Sequence, residues 1–125
     1  MNAPIVLTCG DPSGIGPEIA VAARKILADD VAFCWIGDPR HLPQRTRWAE
    51  VSDLAQVASA PTGTLAVMRH DFPAPARPGQ PDPRNAAAVI AVIARAVGLA
   101  MSGAAAAICT APIHKKALKD GADFP

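Results

Sequence analysis

The stretch Pro4-Ile-Val-Leu-Thr-Cys9, followed by Gly10-Asp-Pro-Ser-Gly-Ile-Gly-Pro-Glu18, decides the fold. Its first part is a short apolar run with β-branched residues, which predicts a buried strand. The glycine-rich break then leads into a helix, because Pro17 suits a first helical turn and Glu18 complements the positive end of the helix dipole. A strand that turns tightly into a helix indicates a parallel α/β unit.

The same alternation continues along the chain. The first helix is predicted to end at residues 29–30 and to pack through one apolar face. That face is formed by Ile19, Ala22, Ala23 and Ile26. A second buried strand is expected at 31–36, followed by a turn and a short helix that reaches about Trp48. Weaker strand candidates lie at 51–58 and 64–68.

A proline-rich stretch, residues 72–83, precedes the clearest helix. Its five prolines exclude a regular ladder or helix and predict an ordered crossing arm rather than a domain linker. Asp82-Pro83 then starts a helix that extends to Ser102. Its apolar stripe consists of Ala86, Val89, Ile90, Ile93, Val97 and Met101.

A buried strand at 104–109 and a short helix from Pro112 to Gly121 complete the pattern. The repeated order of strand and helix, with apolar strands, predicts an α/β fold built on a parallel sheet. The length of 125 residues allows one domain of ordinary size.

Composition excludes several classes of protein. Half of the residues are hydrophobic and 18% are charged, which is too apolar for a disordered chain. The net charge of +1 leaves no electrostatic footprint for nucleic acid or an anionic membrane. No apolar run approaches the roughly 20 residues of a membrane span, so we expect neither partner.

The amino terminus and the cysteines indicate a cytoplasmic protein. Residues 1–4 provide no basic region and no long apolar region, so no secretory signal is expected. The three cysteines, Cys9, Cys34 and Cys109, have no metal-ligand spacing and make no disulfide framework. A reducing compartment is therefore expected.

The glycine-rich loop is the first candidate site, because ligands of open parallel sheets bind beyond the carboxyl ends of the strands. Gly10, Gly14 and Gly16 allow close backbone approach, and the following helix presents free amides that suit an anion. The loop is neither a Walker loop nor a dinucleotide fingerprint. The alternative interpretation is a tight turn between strand and helix.

The second candidate site is Thr110-Ala-Pro-Ile-His-Lys-Lys116, just past the last predicted strand. His114 can exchange protons near neutral pH, and Lys115 can hold a phosphate or carboxylate as a point charge. The alternative is that His114 caps a helix or packs locally while the lysines are solvated.

Other residues are weaker candidates. His41 is predicted at the surface, and His70-Asp71 is predicted in an exposed loop rather than in a metal site. Cys9 and Cys109 each end a predicted buried strand and are expected to be small core residues. Arg84 and Asn85 either face a ligand or are ordinary residues of the first helical turn.

Three segments occur together in this order: residues 10–18 after the first strand, Pro78-Gly-Gln-Pro-Asp-Pro-Arg-Asn-Ala86 before the long helix, and Thr110-Ala-Pro-Ile-His-Lys115 after a later strand. This combination resembles the 4-hydroxythreonine-4-phosphate dehydrogenase family of pyridoxal phosphate biosynthesis, PdxA. The resemblance extends from Ile5 to Pro125.

The resemblance implies a two-domain α/β fold similar to that of isocitrate and isopropylmalate dehydrogenases, incomplete in this chain. It implies a homodimer whose active sites use both subunits and bind NAD without the usual motif. The implied reaction oxidises 4-phosphohydroxy-L-threonine, and decarboxylation then gives 3-amino-2-oxopropyl phosphate. A divalent metal (Zn, Mg or Co) held by histidines would polarise the reacting oxygens.

The family's site residues carry over only in part. The resemblance places the first loop (Gly10, Asp11, Gly14, Gly16) and the second (Thr110, His114, Lys115) at the substrate and cofactor cleft. The family's Gly-His-Thr-Glu follows the equivalent of Phe124-Pro125, and its metal ligands come later still. The whole chain, 1–125, is therefore expected to be a single amino-terminal portion of a longer dehydrogenase, inactive by itself.

Three alternatives remain open. The chain resembles dehydrogenases of a phosphorylated sugar acid or a dihydrodiol carboxylate. A phosphate acetyl- or butyryltransferase of related architecture would need an acyl-CoA site and no NAD. A non-catalytic truncated product would expose an apolar sheet edge and aggregate.

Overall fold

Five parallel strands form the centre of the structure, which is a computed structural model that describes residues 3–27 and 29–123. Their order across the sheet is β3-β4-β2-β1-β5. The strands are β1 Ile5–Thr8, β2 Phe33–Gly37, β3 Trp48–Glu50, β4 Leu65–Arg69 and β5 Ala107–Thr110. The prediction of an α/β fold with a parallel sheet is confirmed.

Within the described residues, three helices and three 3₁₀ turns accompany the strands. The helices are α1 Gly16–Leu27, α2 Ala86–Met101 and α3 Lys115–Ala122, and the 3₁₀ turns are Pro39–His41, Leu54–Ser59 and Pro83–Asn85. The connection through α1 runs from β1 to β2, whereas the connection through α2 runs from β4 back to β5. Right-handed crossovers in these opposite directions place α1 and α2 on opposite faces of the sheet.

The core lies on the three inner strands of the sheet. All of β2 is buried, and so are β1 from Val6 onward and β4 from Leu65 to Met68. Parallel register sets Leu7 beside Trp35 on one side and beside Cys109 on the other, so these three side chains share a face of the sheet. Tight backbone contact joins α3 to the start of α2, because a Cβ on Gly121 would overlap the carbonyl oxygen of Pro83.

Two predicted elements are wrong. Residues 51–58, predicted as a strand, mostly form the 3₁₀ turn Leu54–Ser59, in which Leu54 and Val57 are buried. A short apolar run fits either structure, and here the carboxylate of Asp53 accepts a hydrogen bond from the Ala55 amide and starts a helical turn. The helix predicted up to Trp48 is limited to Pro39–His41, and Trp48 begins β3.

The predicted burial of several elements is also wrong. The face of α1 expected in the core is largely outside: Ile19 is 39% exposed and Ile26 is 79% exposed. The buried residues of α1 are instead Gly16, Pro17 and Ala20. Of the stripe on α2, Ala86 and Val89 are buried, but Val97 and Met101 are exposed. β5 is a strand as predicted, yet it lies at the edge and most of it is exposed.

Within the described residues, Pro83–Met101 is long and apolar enough to cross a membrane by length and composition alone. The prediction that no run approaches that length is therefore wrong for this segment. Core helices of globular proteins satisfy the same criterion, and four residues of α2 are buried inside the fold: Ala86, Val89, Val92 and Ala96. The predictions made for Met1-Asn2 and for Phe124-Pro125 fall outside the described residues.

Candidate functional site

The two candidate loops touch each other at the carboxyl edge of the sheet. β1 and β5 are neighbours, so the loops that follow them emerge side by side. The Asp11 amide donates a hydrogen bond of 2.9 Å to the Pro112 carbonyl oxygen. The Ala111 amide donates to the hydroxyl oxygen of Thr8 at 3.3 Å. These bonds fix the two loops in one orientation.

Two glycines make this close approach possible. Gly10 has φ +65°, and a Cβ there would overlap the Pro112 carbonyl oxygen. A Cβ on Gly16 would overlap the Cys9 carbonyl oxygen and lie 3.1 Å from the Cβ of Ala111. Both positions therefore require glycine. At Gly14 the nearest atom would be 3.4 Å away, so its space tolerates a side chain.

Asp11 stabilises the loop itself. Its carboxylate accepts a hydrogen bond of 2.8 Å from the Ser13 amide, and both residues are buried. The Ser13 hydroxyl donates to the Gln80 carbonyl oxygen at 2.9 Å, and the Gly79 amide donates to the Ser13 carbonyl oxygen. The loop is thus held between the proline-rich arm and the turn after β5.

Thr110, His114 and Lys115 are exposed beside this loop. His114 is the N-cap of α3, and its Nδ1 accepts a hydrogen bond of 3.2 Å from the Ala117 amide. A neutral His114 therefore carries its proton on Nε2, which is left as a donor. Lys116 pairs with Asp120 at 2.8 Å, whereas no ion pair involves Lys115 among the residues that the structure describes.

The structure thus divides the seven predicted site residues into two groups. Gly10, Asp11 and Gly16 hold the backbone together. The exposed residues, which are available to a ligand, are Gly14, Thr110, His114 and Lys115. Capping by His114 agrees with the local alternative considered for it, although its second nitrogen stays available.

His41, predicted at the surface, is buried, so that prediction is wrong. Its Nε2 lies 3.0 Å from the Ala74 carbonyl oxygen, and its ring meets Phe72 edge to face at 5.2 Å. Burial lowers the pKa of His41. The proline-rich arm crosses the ends of the strands and covers this ring, which the sequence around His41 did not reveal.

A buried carboxylate, Asp38, follows β2 at the same edge. It accepts hydrogen bonds from the Phe72 amide at 3.0 Å and from the Arg40 side chain at 2.7 Å. Burial acts to raise the pKa of Asp38, but the bonds from Arg40 and from backbone amides outweigh it and lower the pKa to about 2. This network anchors the arm. Sequence reasoning missed it, although the recurrence of Asp-Pro-Arg at 38–40 and 82–84 was a usable signal.

The remaining candidates are structural. Asn85 is buried and exchanges two hydrogen bonds with the backbone of Ala74, so it does not face a ligand. Arg84 is exposed and pairs with Asp82 at 2.7 Å. Cys109 is exposed, contrary to the prediction, because β5 is an edge strand; Cys9 is buried as predicted.

No group of three metal-ligating side chains comes together within residues 3–27 and 29–123. His70 is half-buried, with its Nδ1 3.5 Å from the Arg95 guanidinium, and Asp71 pairs with Arg69 at 2.9 Å. His70 and Asp71, considered above as a possible metal-binding pair, therefore both have partners inside the protein. The residues described therefore do not fit a metal site.

A concavity of about 430 Å³ lies away from the two loops, between the second half of α1 and residues 43–47. Arg24, Lys25, Arg45 and Arg47 line it. Cations at the end of α1 complement its dipole, and Arg24 Nε donates to the Thr64 carbonyl oxygen at 2.9 Å. The concavity lies at the amino edge of the sheet, whereas ligands of such sheets bind at the carboxyl edge.

Comparison with known proteins gives a consistent result. Residues 17–125 match the family model described as "Pyridoxal phosphate biosynthetic protein PdxA". Relatives from Paracoccus denitrificans and Roseobacter denitrificans, both named 4-hydroxythreonine-4-phosphate dehydrogenase, are 65% and 57% identical over 97% and 98% of this chain. The chain spans 36% and 38% of the length of those two relatives.

Solved structures agree with the sequence comparison. The 4-hydroxythreonine-4-phosphate dehydrogenase from Klebsiella pneumoniae superposes with a TM-score of 0.83 at 31% identity, and covers 99% of this chain and 42% of its own. The enzyme of that name from Burkholderia phymatum superposes with a TM-score of 0.73 at 27% identity, over 98% of this chain and 40% of its own.

Proposed function

Because this chain belongs to the PdxA family of pyridoxal phosphate biosynthetic proteins, we propose that it forms one wall of the active-site cleft of a cytoplasmic 4-hydroxythreonine-4-phosphate dehydrogenase. In this proposal the C3 hydroxyl of 4-phosphohydroxy-L-threonine is oxidised to a ketone and NAD accepts the hydride. The resulting β-keto acid loses carbon dioxide and gives 3-amino-2-oxopropyl phosphate. The chain acts as the amino-terminal α/β portion of a longer, two-domain, homodimeric polypeptide.

One observation carries the proposal: the glycine-rich loop and the turn after β5 are locked together at the carboxyl edge. The hydrogen bond from the Asp11 amide to the Pro112 carbonyl oxygen joins them at 2.9 Å. Gly10 and Gly16 leave no space for a side chain between them. Such rigidity suits a site that must hold a substrate in a fixed orientation.

The exposed residues beside this contact have chemistry that suits an anionic hydroxy acid. The ammonium group of Lys115 can pair with a phosphate or a carboxylate. Nε2–H of His114 is a hydrogen-bond donor, and the Thr110 hydroxyl both donates and accepts. We assign these three residues to substrate or cofactor binding, with Gly14 giving close access to the backbone at the start of α1.

The metal that the family resemblance implies has no ligand set within residues 3–27 and 29–123. We therefore derive no step through a metal from the residues described. For the same reason we expect the 125-residue chain to reduce no NAD when it is assayed alone.

The proposal is tested by joining this chain to the part of the Paracoccus denitrificans relative that lies outside the alignment. NAD reduction is followed with 4-phosphohydroxy-L-threonine and, separately, with a phosphorylated threonate. We expect activity with the first substrate. Lys115→Ala should lower kcat/KM by about 10- to 100-fold, the value of one or two charge-assisted hydrogen bonds.

Lys119→Ala is the matched control, because Lys119 is an exposed lysine on the same helix that is not among the predicted site residues. It should leave kcat/KM unchanged. A preference for the phosphorylated threonate would replace the proposal with the related sugar-acid dehydrogenase. Absence of NAD reduction with both substrates, or full activity of Lys115→Ala, would contradict the proposal.

A further inference from the structure

Four of the chain's twelve basic residues line the concavity of about 430 Å³ beside the second half of α1. None of the eleven acidic residues lines it. Protein surfaces ordinarily mix charges of both signs, so this separation of charge is unusual. We name this surface the basic concavity, and its four cations are Arg24, Lys25, Arg45 and Arg47.

The dipole of α1 explains only part of this charge. Arg24 and Lys25 belong to the end of α1, where they more than offset the roughly half negative charge of the helix terminus. Arg45 and Arg47 lie on the connection between β2 and β3, so the dipole does not account for them. Within the described part of the chain, no ion pair involves Lys25, Arg45 or Arg47. The basic concavity therefore has an excess of positive charge.

Arg45 has a backbone conformation that arginine seldom adopts. A turn begins at Pro43, whose carbonyl oxygen accepts hydrogen bonds from the Thr46 amide at 3.2 Å and from the Thr46 hydroxyl at 2.6 Å. Arg45 is the third residue of this turn and has φ +67°, where glycine or asparagine is usual. The Arg47 carbonyl oxygen accepts a bond of 2.9 Å from the Leu65 amide. The turn thus keeps an arginine where glycine would cause less strain, and its backbone is fixed at both ends.

Arg24 is also held in a fixed position. Its Nε donates a hydrogen bond of 2.9 Å to the Thr64 carbonyl oxygen, and its Nη2 lies 3.5 Å from a carboxylate oxygen of Asp29. The side chain of Arg24 is only 17% exposed, whereas that of Asp29 is 72% exposed. A guanidinium that is already ordered loses little conformational entropy when a ligand binds, so Arg24 is prepared to contact an anion.

The basic concavity is separate from the candidate cleft. The helix α1 begins at Gly16, beside the two loops, and extends to the amino edge of the sheet. Eight residues separate Gly16 from Arg24, which places them about 12 Å apart along the helix axis. A ligand in the basic concavity would therefore leave the glycine-rich loop and the turn after β5 open to a substrate.

The basic concavity is also distinct from the exposed apolar side of α1. With about 3.6 residues per turn, Val21, which lines the concavity, lies on the side of the helix away from Ile19 and Ile26. The helix that was predicted up to Trp48 ends at His41, and the turn that follows it forms the opposite wall. The chain's own connection between β2 and β3 thus shapes this concavity.

We propose that the basic concavity binds a phosphorylated small molecule that carries at least two negative charges. Arginine guanidinium groups match phosphate oxygens and can donate two parallel hydrogen bonds to one phosphate. The volume of about 430 Å³ is that of a small-molecule site, for which about 300 to 1,000 Å³ is typical. The net charge of +1 provides no extended basic surface for nucleic acid. The site is additional to the proposed substrate cleft and does not depend on the proposed reaction.

Calorimetric titration with inorganic pyrophosphate tests the proposal. It is carried out at constant ionic strength, without NAD and without a hydroxy acid. The protein is the chain joined to the remaining part of the Paracoccus denitrificans relative and, in a parallel titration, the 125-residue chain. We expect both to bind pyrophosphate at one site with the same Kd, because all of the residues that line the concavity lie between positions 21 and 65.

Arg45→Gly is the most informative variant, because glycine fits the positive φ of the turn while the guanidinium is removed. It should weaken the binding of pyrophosphate by at least about tenfold, the value of one charge-assisted hydrogen bond. Without pyrophosphate it should not lower the unfolding midpoint. Lys119→Ala is the matched control, because it removes one positive charge at an exposed position outside the concavity. It should leave the Kd unchanged.

Three results would overturn the proposal. The first is that a joined chain with a cooperative unfolding transition binds no pyrophosphate, or binds it equally well as Arg45→Gly. The second is that binding is lost in Lys115→Ala and kept in Arg45→Gly, which would assign the anion to the turn after β5. The third is that only the 125-residue chain binds, because the remaining polypeptide would then fill the concavity. None of these results contradicts the proposed reaction, since the titration contains neither NAD nor its substrate.

Discussion

The tripeptide Asp-Pro-Arg occurs twice, at 38–40 and at 82–84, and forms the same turn in both places. In each, the aspartate caps a 3₁₀ turn by accepting a hydrogen bond from the arginine amide, at 3.0 Å and 2.9 Å. In each, the guanidinium lies on the carboxylate at 2.7 Å. Local sequence therefore determines this geometry, since proline fixes the turn and aspartate is a preferred cap.

The surroundings of the two turns are different. Asp38 is fully buried and also binds the Phe72 amide, and Arg40 donates to the Phe72 carbonyl oxygen at 2.6 Å. Asp82 is 23% exposed and, within the described part of the chain, bonds only within its own turn. The same three residues are thus a tertiary anchor in one place and a helix start in the other. Burial and a distant backbone partner make the difference.

Both turns continue to a residue that binds Ala74. His41 Nε2 lies 3.0 Å from the Ala74 carbonyl oxygen, and Asn85 accepts from the Ala74 amide at 2.9 Å and donates to its carbonyl oxygen at 3.2 Å. Ala74 is fully buried. The proline-rich arm is therefore clamped from two sides, and the arm in turn holds Ser13 of the glycine-rich loop through Gly79 and Gln80.

Asp38→Ala should have the largest effect on the free energy of unfolding. It removes a cap and leaves the buried Phe72 amide without a partner, and these losses together amount to about 2 to 4 kcal/mol. Chemical denaturation of the 125-residue chain measures the change. Asp38→Asn retains one acceptor and should lose less. An effect of Asp38→Ala no larger than that of Asp82→Ala would contradict the comparison between the turns.

Asn85→Ala should have the second largest effect. It should lower the free energy of unfolding by about 1 to 3 kcal/mol, because the buried amide of Ala74 would lose its hydrogen-bond partner. Gln80→Ala is the control in the same arm, since only the backbone of Gln80 is used. Equal denaturation midpoints for the two variants would show that the clamp on Ala74 does not stabilise the fold.

The pH dependence of stability separates Asp38 from the histidines. The pKa of Asp38 is about 2 in the fold, below its ordinary 3.8, so its contribution is complete above about pH 4 and is lost as the pH falls through 2. Arg40 is half-exposed, so water screens its interaction with Asp38. We therefore expect the Asp38 carboxylate to contribute about 1 to 2 kcal/mol to the free energy of unfolding. Burial lowers the pKa of His41 and His70. Their contributions to stability are therefore lost as the pH falls below 6.5, well above the range of Asp38.

Asp38→Asn should therefore flatten the stability profile between pH 4 and pH 2 and leave its shape near pH 6 unchanged. Denaturant titrations at a series of pH values give this profile. A slope in the acid range that persists in Asp38→Asn would assign the acid sensitivity to another carboxylate.

Much of the fold follows from the sequence. β1, β2, α1 and α2 lie close to their predicted positions, because each combines an apolar pattern with a clear turn or cap. The contact between the glycine-rich loop and the turn after β5 also follows, since carboxyl ends of neighbouring parallel strands share an edge. The role of the exposed residues in that contact stays a prediction.

The errors have one physical source, which is that burial depends on distant parts of the chain. His41 is buried because the arm lies over it, and Cys109 is exposed because its strand has one neighbour instead of two. The face of α1 that was predicted to pack in the core is apolar, yet within the described residues Ile26 on that face is 79% exposed. Periodicity shows that a face is apolar but does not show what packs on it.

Asp82→Ala should have the smallest effect, and it tests the comparison most directly. The Asp82 carboxylate holds only the amide and side chain of Arg84, and water can replace both interactions at this exposed turn. The loss of stability should match that of Asp53→Ala, an exposed cap that has no arginine partner among residues 3–27 and 29–123. A larger loss for Asp82→Ala, measured by denaturation, would mean that the arginine contact itself stabilises these turns. Part of the loss expected for Asp38→Ala would then come from the Asp-Pro-Arg geometry that both turns share, and not from the burial of Asp38 against Phe72.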